Sequence, residues 1–120
     1  MNQPTSERRS HARFAHRIVV EGPPDGQGAV ARMVASDLSL GGLHCSSNRD
    51  YPEMTRLAVR LLLPNGARTE TIDVQAVVVR RAELASASGG DRFELGLFFT
   101  GMADETKERL ARFLARTSSN

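Results

Sequence analysis

Thr55-Arg56-Leu57-Ala58-Val59-Arg60-Leu61-Leu62-Leu63, followed by Pro64-Asn65-Gly66, is the stretch that decides the fold class. Leu57, Val59, Leu61 and Leu63 alternate with Arg56, Ala58, Arg60 and Leu62, the period-2 pattern of a half-buried strand. Asn65-Gly66 tolerates the positive φ values of a type I′ turn, so a hairpin is expected here. Its partner strand runs from about Thr69 to Arg81, with Ile72, Val74, Ala76 and Val78 on one face and an apolar centre at Val77 and Val79.

The same signals extend outward in both directions. Upstream, Ile18-Val19-Val20 begins a strand that ends at the turn signal Gly22-Pro23-Pro24-Asp25-Gly26, and Ala29 to Ser36 returns from it. Gly41 and Gly42 break the second strand, Leu43 to Ser46 resumes briefly, and Asn48 to Pro52 reads as a loop. Downstream, Ser86 to Asp91 is an Ala/Ser/Gly loop before the strand Phe93 to Phe99. The last segment changes period: Asp104 is expected as N-cap, Glu105 lies in the first turn, and Leu110, Phe113 and Leu114 fall at i, i+3, i+4 of a helix. Five or six short antiparallel strands joined by hairpins predict a mainly β, closed or nearly closed barrel, which removes exposed sheet edges, with one closing helix.

Length bounds the rest. A chain of 120 residues buries roughly two-thirds of its unfolded surface, enough for a single core. Met1 to Ser6 is polar, without the apolar stretch of a signal peptide, and no apolar run reaches the length of a membrane span, so a cytoplasmic protein without membrane insertion is expected. The lone Cys45 has no internal disulfide partner, as suits a reducing compartment.

The net charge of +2 conceals an uneven distribution. Arg8, Arg9, Arg13 and Arg17 against Glu7 give residues 1–17 a charge of +3, which leaves the remainder at −1. All but one of the basic residues are Arg, the side chain suited to bidentate phosphate contact and to stacking on bases.

Familiar catalytic chemistry is missing. His11, His16, His44 and Cys45 make no metal-site spacing, and neither a G-x-S-x-G elbow nor a phosphate-binding G-x-x-x-x-G-K-[ST] loop occurs. Gly89-Gly90-Asp91-Arg92-Phe93 approaches the GG(D/E)EF signature of diguanylate cyclases, but Arg92 stands where that motif needs a metal-binding carboxylate, so these glycines are read as a hairpin loop.

Two motifs belong together. Arg9-Ser10-His11-Ala12-Arg13 is an R-x-x-x-R, and after 23 intervening residues Asp37-Leu38-Ser39-Leu40-Gly41-Gly42 is a [DN]-x-S-x-x-G. The first pattern occurs four times in this Arg-rich chain and carries little alone, whereas about 0.07 matches to the second are expected by chance. Asp37 and Ser39, two apart, would share one face of a strand and converge on one ligand group, while Gly42 permits a turn or a close approach. The same residues also suit a polar bend in which Asp37 and Ser39 satisfy local backbone groups.

The order and spacing of these motifs, the barrel-forming strands, and Glu94-Leu95-Gly96-Leu97-Phe98-Phe99 before a final helix together resemble the PilZ domain family, from about Glu7 to Arg116. That resemblance implies a six-stranded antiparallel split β-barrel over residues 18–100 with a C-terminal helix over 104–116. It also implies a basic ligand-binding segment at 7–17, short tails at 1–6 and 117–120, and a bacterial second messenger, cyclic di-GMP, as ligand. The ligand-binding residues it points to are Arg8, Arg9, Arg13, Asp37, Ser39, Gly41 and Gly42. An arginine fork can pair with a phosphate or with guanine O6 and N7, and a carboxylate can accept from the guanine N1 and N2 edge. Arg8, immediately before the first motif, implies a stacked pair of ligand molecules.

The expected function is therefore a non-enzymatic receptor, with no cofactor beyond its ligand, that rearranges its N-terminal segment and signals to an unidentified output protein. Family-level outputs are motility, exopolysaccharide and biofilm. A ligand-independent adaptor acting through protein contacts is the alternative, against which both motifs stand intact. Nucleic acid is not expected as partner, because the six aromatic residues fall mostly in apolar strand or helix positions and leave no stacking platform.

Overall fold

The computed structural model describes residues 17–85 and 91–118. Strands β1 (Ile18–Pro24), β2 (Val30–Leu38), β3 (Gly42–Ser47), β4 (Arg56–Asn65), β5 (Arg68–Ala85) and β6 (Asp91–Gly101) precede one helix, α1 (Asp104–Ser118). All neighbouring strands are antiparallel and close into a barrel in the order β1-β2-β3-β6-β5-β4, with β1 paired to β4 at the seam. The six-stranded antiparallel barrel with a C-terminal helix expected from the sequence is the fold of this chain.

Alternation builds the core. Leu57, Val59, Leu61 and Leu63 of β4 and Ile72, Val74, Ala76 and Val78 of β5 are all buried, as their spacing predicts. From α1, Leu110, Phe113 and Leu114 join the same cluster. Arg109 ties the helix to the start of β5, donating to Glu70 Oε2 at 2.7 Å and to the Thr71 carbonyl at 3.2 Å. Asp104 stands in the first helical turn with Glu105 rather than as the cap before it, and there both carboxylates favour the positive end of the helix dipole.

The β4–β5 turn differs from its expected type. Asn65 pairs with Arg68, so the loop is Gly66-Ala67, and only Gly66 has positive φ (65°). Positive φ at the first central position alone is the type II′ pattern, not type I′: Asn65 stays in the ladder and glycine takes the left-handed position. Between β1 and β2, Asp25 Oδ1 accepts from the backbone N–H groups of Gln27 (2.8 Å) and Ala29 (3.0 Å) and so organises that turn. No helix among the described residues is long and apolar enough to cross a membrane.

Candidate functional site

The site begins with an irregularity in β2. Ala31, Met33 and Ala35 point into the barrel, and strict alternation would carry Asp37 inward after them. Instead the β2–β3 register shifts: Ala35 pairs with Cys45 and Asp37 with His44, leaving Ser36 as the extra residue of a bulge. Leu38, fully buried, takes the inward position, and Asp37 is turned to the outer face. A carboxylate is thereby spared burial in an apolar core.

Strand β2 ends at Leu38, so Ser39 lies in the following turn and not on a strand with Asp37. Its backbone N–H donates to the Gly42 carbonyl at 2.9 Å. Its hydroxyl accepts from Gly41 N–H at 3.2 Å and reaches the Gly42 carbonyl at 3.3 Å. Ser39 thus holds the bend together. Gly41 faces open space and its carbonyl accepts from Phe99 N–H at 2.9 Å, whereas a Cβ on Gly42 would collide with the Leu97 carbonyl oxygen. Arg8, Arg9 and Arg13 lie outside the described residues.

Strand register assembles a wider site than the motif alone. Asp37 pairs with His44, His44 with Gly96, and Gly96 with Arg80, so one outer-face row crosses β2, β3, β6 and β5. At a strand spacing of about 4.8 Å the row is roughly 14 Å long. A second register shift, between Val78 and Arg80, brings Arg80 into it. Gly96 forms the floor: a Cβ there would lie 3.2 Å from Arg80 Cβ and 3.5 Å from His44 Nε2. The resulting concavity, about 270 Å³, is lined by Ser39, Gly42 and His44 on one side and by Val79, Arg80 and Leu97 on the other.

The charges in this row are specific. His44 Nδ1 lies 4.0 Å from Asp37 Oδ2, with the imidazole about half exposed. Arg80 is exposed and has no ion-pair partner among the described residues, while its neighbour Arg81 is committed to Asp50 through bonds of 2.5 and 3.0 Å and packs over the Phe93 ring. Cys45, one residue from His44, points inward beside Met33, and burial pushes its thiol up to about 12, which removes it as a nucleophile. Among the described residues no group of three or more His, Cys, Asp or Glu is arranged to hold a metal.

The sequence motifs include neither Gly96 nor Arg80 among the ligand-binding residues, and they give His44 no part beyond a metal-site spacing that it lacks. His44 was legible, since the alternation of β3 buries Leu43 and Cys45 and leaves it outward. Arg80 was not, because its place depends on the β5–β6 register and on a bulge with no compositional mark.

The sequence profile of the PilZ domain matches residues 7–116. Among curated protein sequences none matches this chain. Among solved structures, MotI/DgrA, the inhibitor of motility of Bacillus subtilis, superposes with a TM-score of 0.70 at 20% identity over 91% of this chain and 50% of that one. The PilZ domain of YcgR from Escherichia coli, solved with c-di-GMP, gives 0.65 at 17% identity over 92% and 91%. MrkH from K. pneumonia in its apo state gives 0.66 at 16% identity over 98% and 51%. The chain therefore spans about half the length of MotI/DgrA and of MrkH, and nearly all of the YcgR domain. With the profile match covering both motifs, the barrel and the closing helix, this chain belongs to the PilZ domain family.

Proposed function

We propose that this chain is a non-enzymatic receptor for cyclic di-GMP, whose ligand site combines the Arg8-Arg9 and Arg13 segment with Asp37, Ser39, Gly41 and Gly42, and with His44 and Arg80 beside them. The observation that carries the reading is the outer-face row from Asp37 to Arg80. It sets a carboxylate beside His44 at one end and a guanidinium at the other, where His44 and Arg80 line an open concavity floored by a glycine. A carboxylate suits the N1 and N2 donors of guanine, and a guanidinium suits its O6 and N7 or a phosphate. The family assignment and the c-di-GMP bound in the YcgR domain point the same way.

Chain connectivity supports the participation of the arginines. Ile18, the first residue of β1, pairs with Ala35, two residues before Asp37. Arg13 is five and Arg9 nine residues upstream of Ile18, so full extension of the chain allows at most about 18 Å and about 32 Å between their Cα atoms and that of Ile18. Two charge-assisted contacts contribute roughly 3 to 6 kcal/mol net, and micromolar affinity requires about 8. Base recognition by the row must supply the difference. Ligand binding then rearranges the N-terminal segment and presents a changed surface to an output protein, in a pathway of the motility, exopolysaccharide or biofilm kind.

Calorimetric titration with cyclic di-GMP and with single-stranded nucleic acid, each at two salt concentrations, tests this. Saturable, micromolar or tighter binding of the dinucleotide with weak, strongly salt-dependent nucleic-acid binding is expected. Absence of dinucleotide binding leaves the protein-contact adaptor as its function.

A further inference from the structure

We infer that His44 is a positioning residue of this site, orienting Asp37 and coupling ligand affinity to pH; the inference rests on the receptor reading above. Its geometry is the starting point. The two ring nitrogens face different partners: Nδ1 lies 4.0 Å from Asp37 Oδ2, while Nε2 leans over Gly96, 3.5 Å from where a Cβ would stand and toward the side occupied by Arg80. One nitrogen thus addresses the carboxylate that reads the base, and the other addresses the concavity.

A neutral imidazole has one N–H and can donate in only one of these directions. A protonated one donates from both. Only the protonated ring holds Asp37 and contacts a phosphate or base oxygen at the same time. Imidazole is also the side chain whose unperturbed titration falls between pH 5 and 8. The ligand's phosphodiesters and guanines do not change charge between mildly acid and neutral pH, so a pH dependence there belongs to the protein.

The surrounding charges set the sign. Asp37 faces the ring from β2 and Arg80 flanks it from β5. Glu94, the next outward-facing position along β6 from Gly96, accepts from Ser46 Oγ at 2.9 Å. The arginines that the receptor reading brings to the site offset the ligand's two phosphates, which leaves Asp37, 4.0 Å from the ring, and the need for an N–H on both ring nitrogens to favour the imidazolium when the site is occupied. By linkage, binding takes up a proton and affinity rises as pH falls. A purely structural role is a poor alternative, because His44 is about half exposed and the core on its strand is made by Leu43 and Cys45.

The experiment is titration of the full chain with cyclic di-GMP at pH 5.5, 7.0 and 8.0, in buffers of differing ionisation enthalpy, for the native protein, His44→Gln and His44→Arg. The native protein should bind at least about fivefold more tightly at pH 5.5 than at 8.0, with net proton uptake read from the buffer dependence of the heat. His44→Gln should bind at every pH with the weak affinity and lose both effects. His44→Arg should recover affinity at pH 8.0 without pH dependence. Unchanged melting temperatures keep the comparison free of folding effects. A pH-independent native affinity overturns the role of His44 while leaving the receptor intact. A pH dependence that survives in His44→Gln overturns it too, and passes the effect to His11 or His16. No binding at any pH overturns the receptor reading and this inference with it.

Discussion

Gly42 and Leu97 meet backbone to backbone, so closely that a methyl group on Gly42 would overlap the Leu97 carbonyl oxygen. Gly42 is paired with Phe98 at the start of β3, where the chain leaves the Ser39 turn and joins β6. The glycine of the motif's last position is therefore required by the barrel itself, before any ligand is considered. Gly42→Ala should lower stability by about 2 to 4 kcal/mol, as buried steric overlap does. Gly41→Ala, with open space around its Cβ position, should be near neutral. Urea denaturation of the two variants checks this; equal stability would show that β3 and β6 can separate without cost.

Arg80 and Arg81 are adjacent in β5 and have opposite expectations. Arg80 is exposed and unpaired among the described residues, so Arg80→Ala should weaken cyclic di-GMP binding about tenfold, the loss of one charge-assisted contact, and leave the melting temperature unchanged. Arg81→Ala removes the bonds to Asp50 and the packing over Phe93, so it should lower stability and spare affinity. Arg13→Ala and Asp37→Ala should each weaken binding at least about tenfold. Calorimetry on these variants, with melting curves alongside, separates ligand contacts from scaffold.

Arg8 stands beside Arg9 at the front of the basic segment and can cover a second guanine or phosphate. Titration should therefore saturate at two ligands per chain in the native protein and at one in Arg8→Ala. A native stoichiometry of one would remove the stacked pair from the mechanism.

Two carboxylates predict the acid limit of stability. The backbone N–H groups of Gln27 and Ala29, with a smaller contribution from Arg49, hold Asp25 below its ordinary 3.8. The hydrogen bond from Arg81 does the same for Asp50. A carboxyl whose pKa is lower folded than unfolded contributes stability that is complete above the unfolded value and is lost as pH falls through the folded one. The urea midpoint should stay level from pH 7 to pH 5 and fall below about pH 4, less steeply in Asp50→Asn.

The barrel was legible because most of its strands obey one rule. Leu57, Val59, Leu61 and Leu63 of β4 and Ile72, Val74, Ala76 and Val78 of β5 enter the core as alternation expects, up to the bulge at Val79. The site was legible only in part because it sits where that rule is broken. The bulges at Ser36 and Val79 each add one residue that ordinary composition does not announce, and together they decide which outward side chains share the row. Ser39 was placed on a strand beside Asp37 because local sequence could not show β2 ending at Leu38. His44 carries no metal-site spacing, and its place in the row depends on its pairing with Asp37 and Gly96, which no local pattern marks.

The extra residue at Ser36 makes the site depend on strand pairing as well as on residue identity. Removing Ser36 would keep every member of the motif and its internal spacing, and would restore unbroken alternation after Ala35 with the same facing. Ala35 inward, Asp37 outward and Leu38 inward would then follow plain alternation, with no bulge to accommodate. Substitution scanning at this position would report a tolerant, exposed serine. Loss of the bulge with the residue count unchanged is what would carry Asp37 into the core, so the pairing of β2 with β3, rather than the identity of Ser36, keeps the binding face outward.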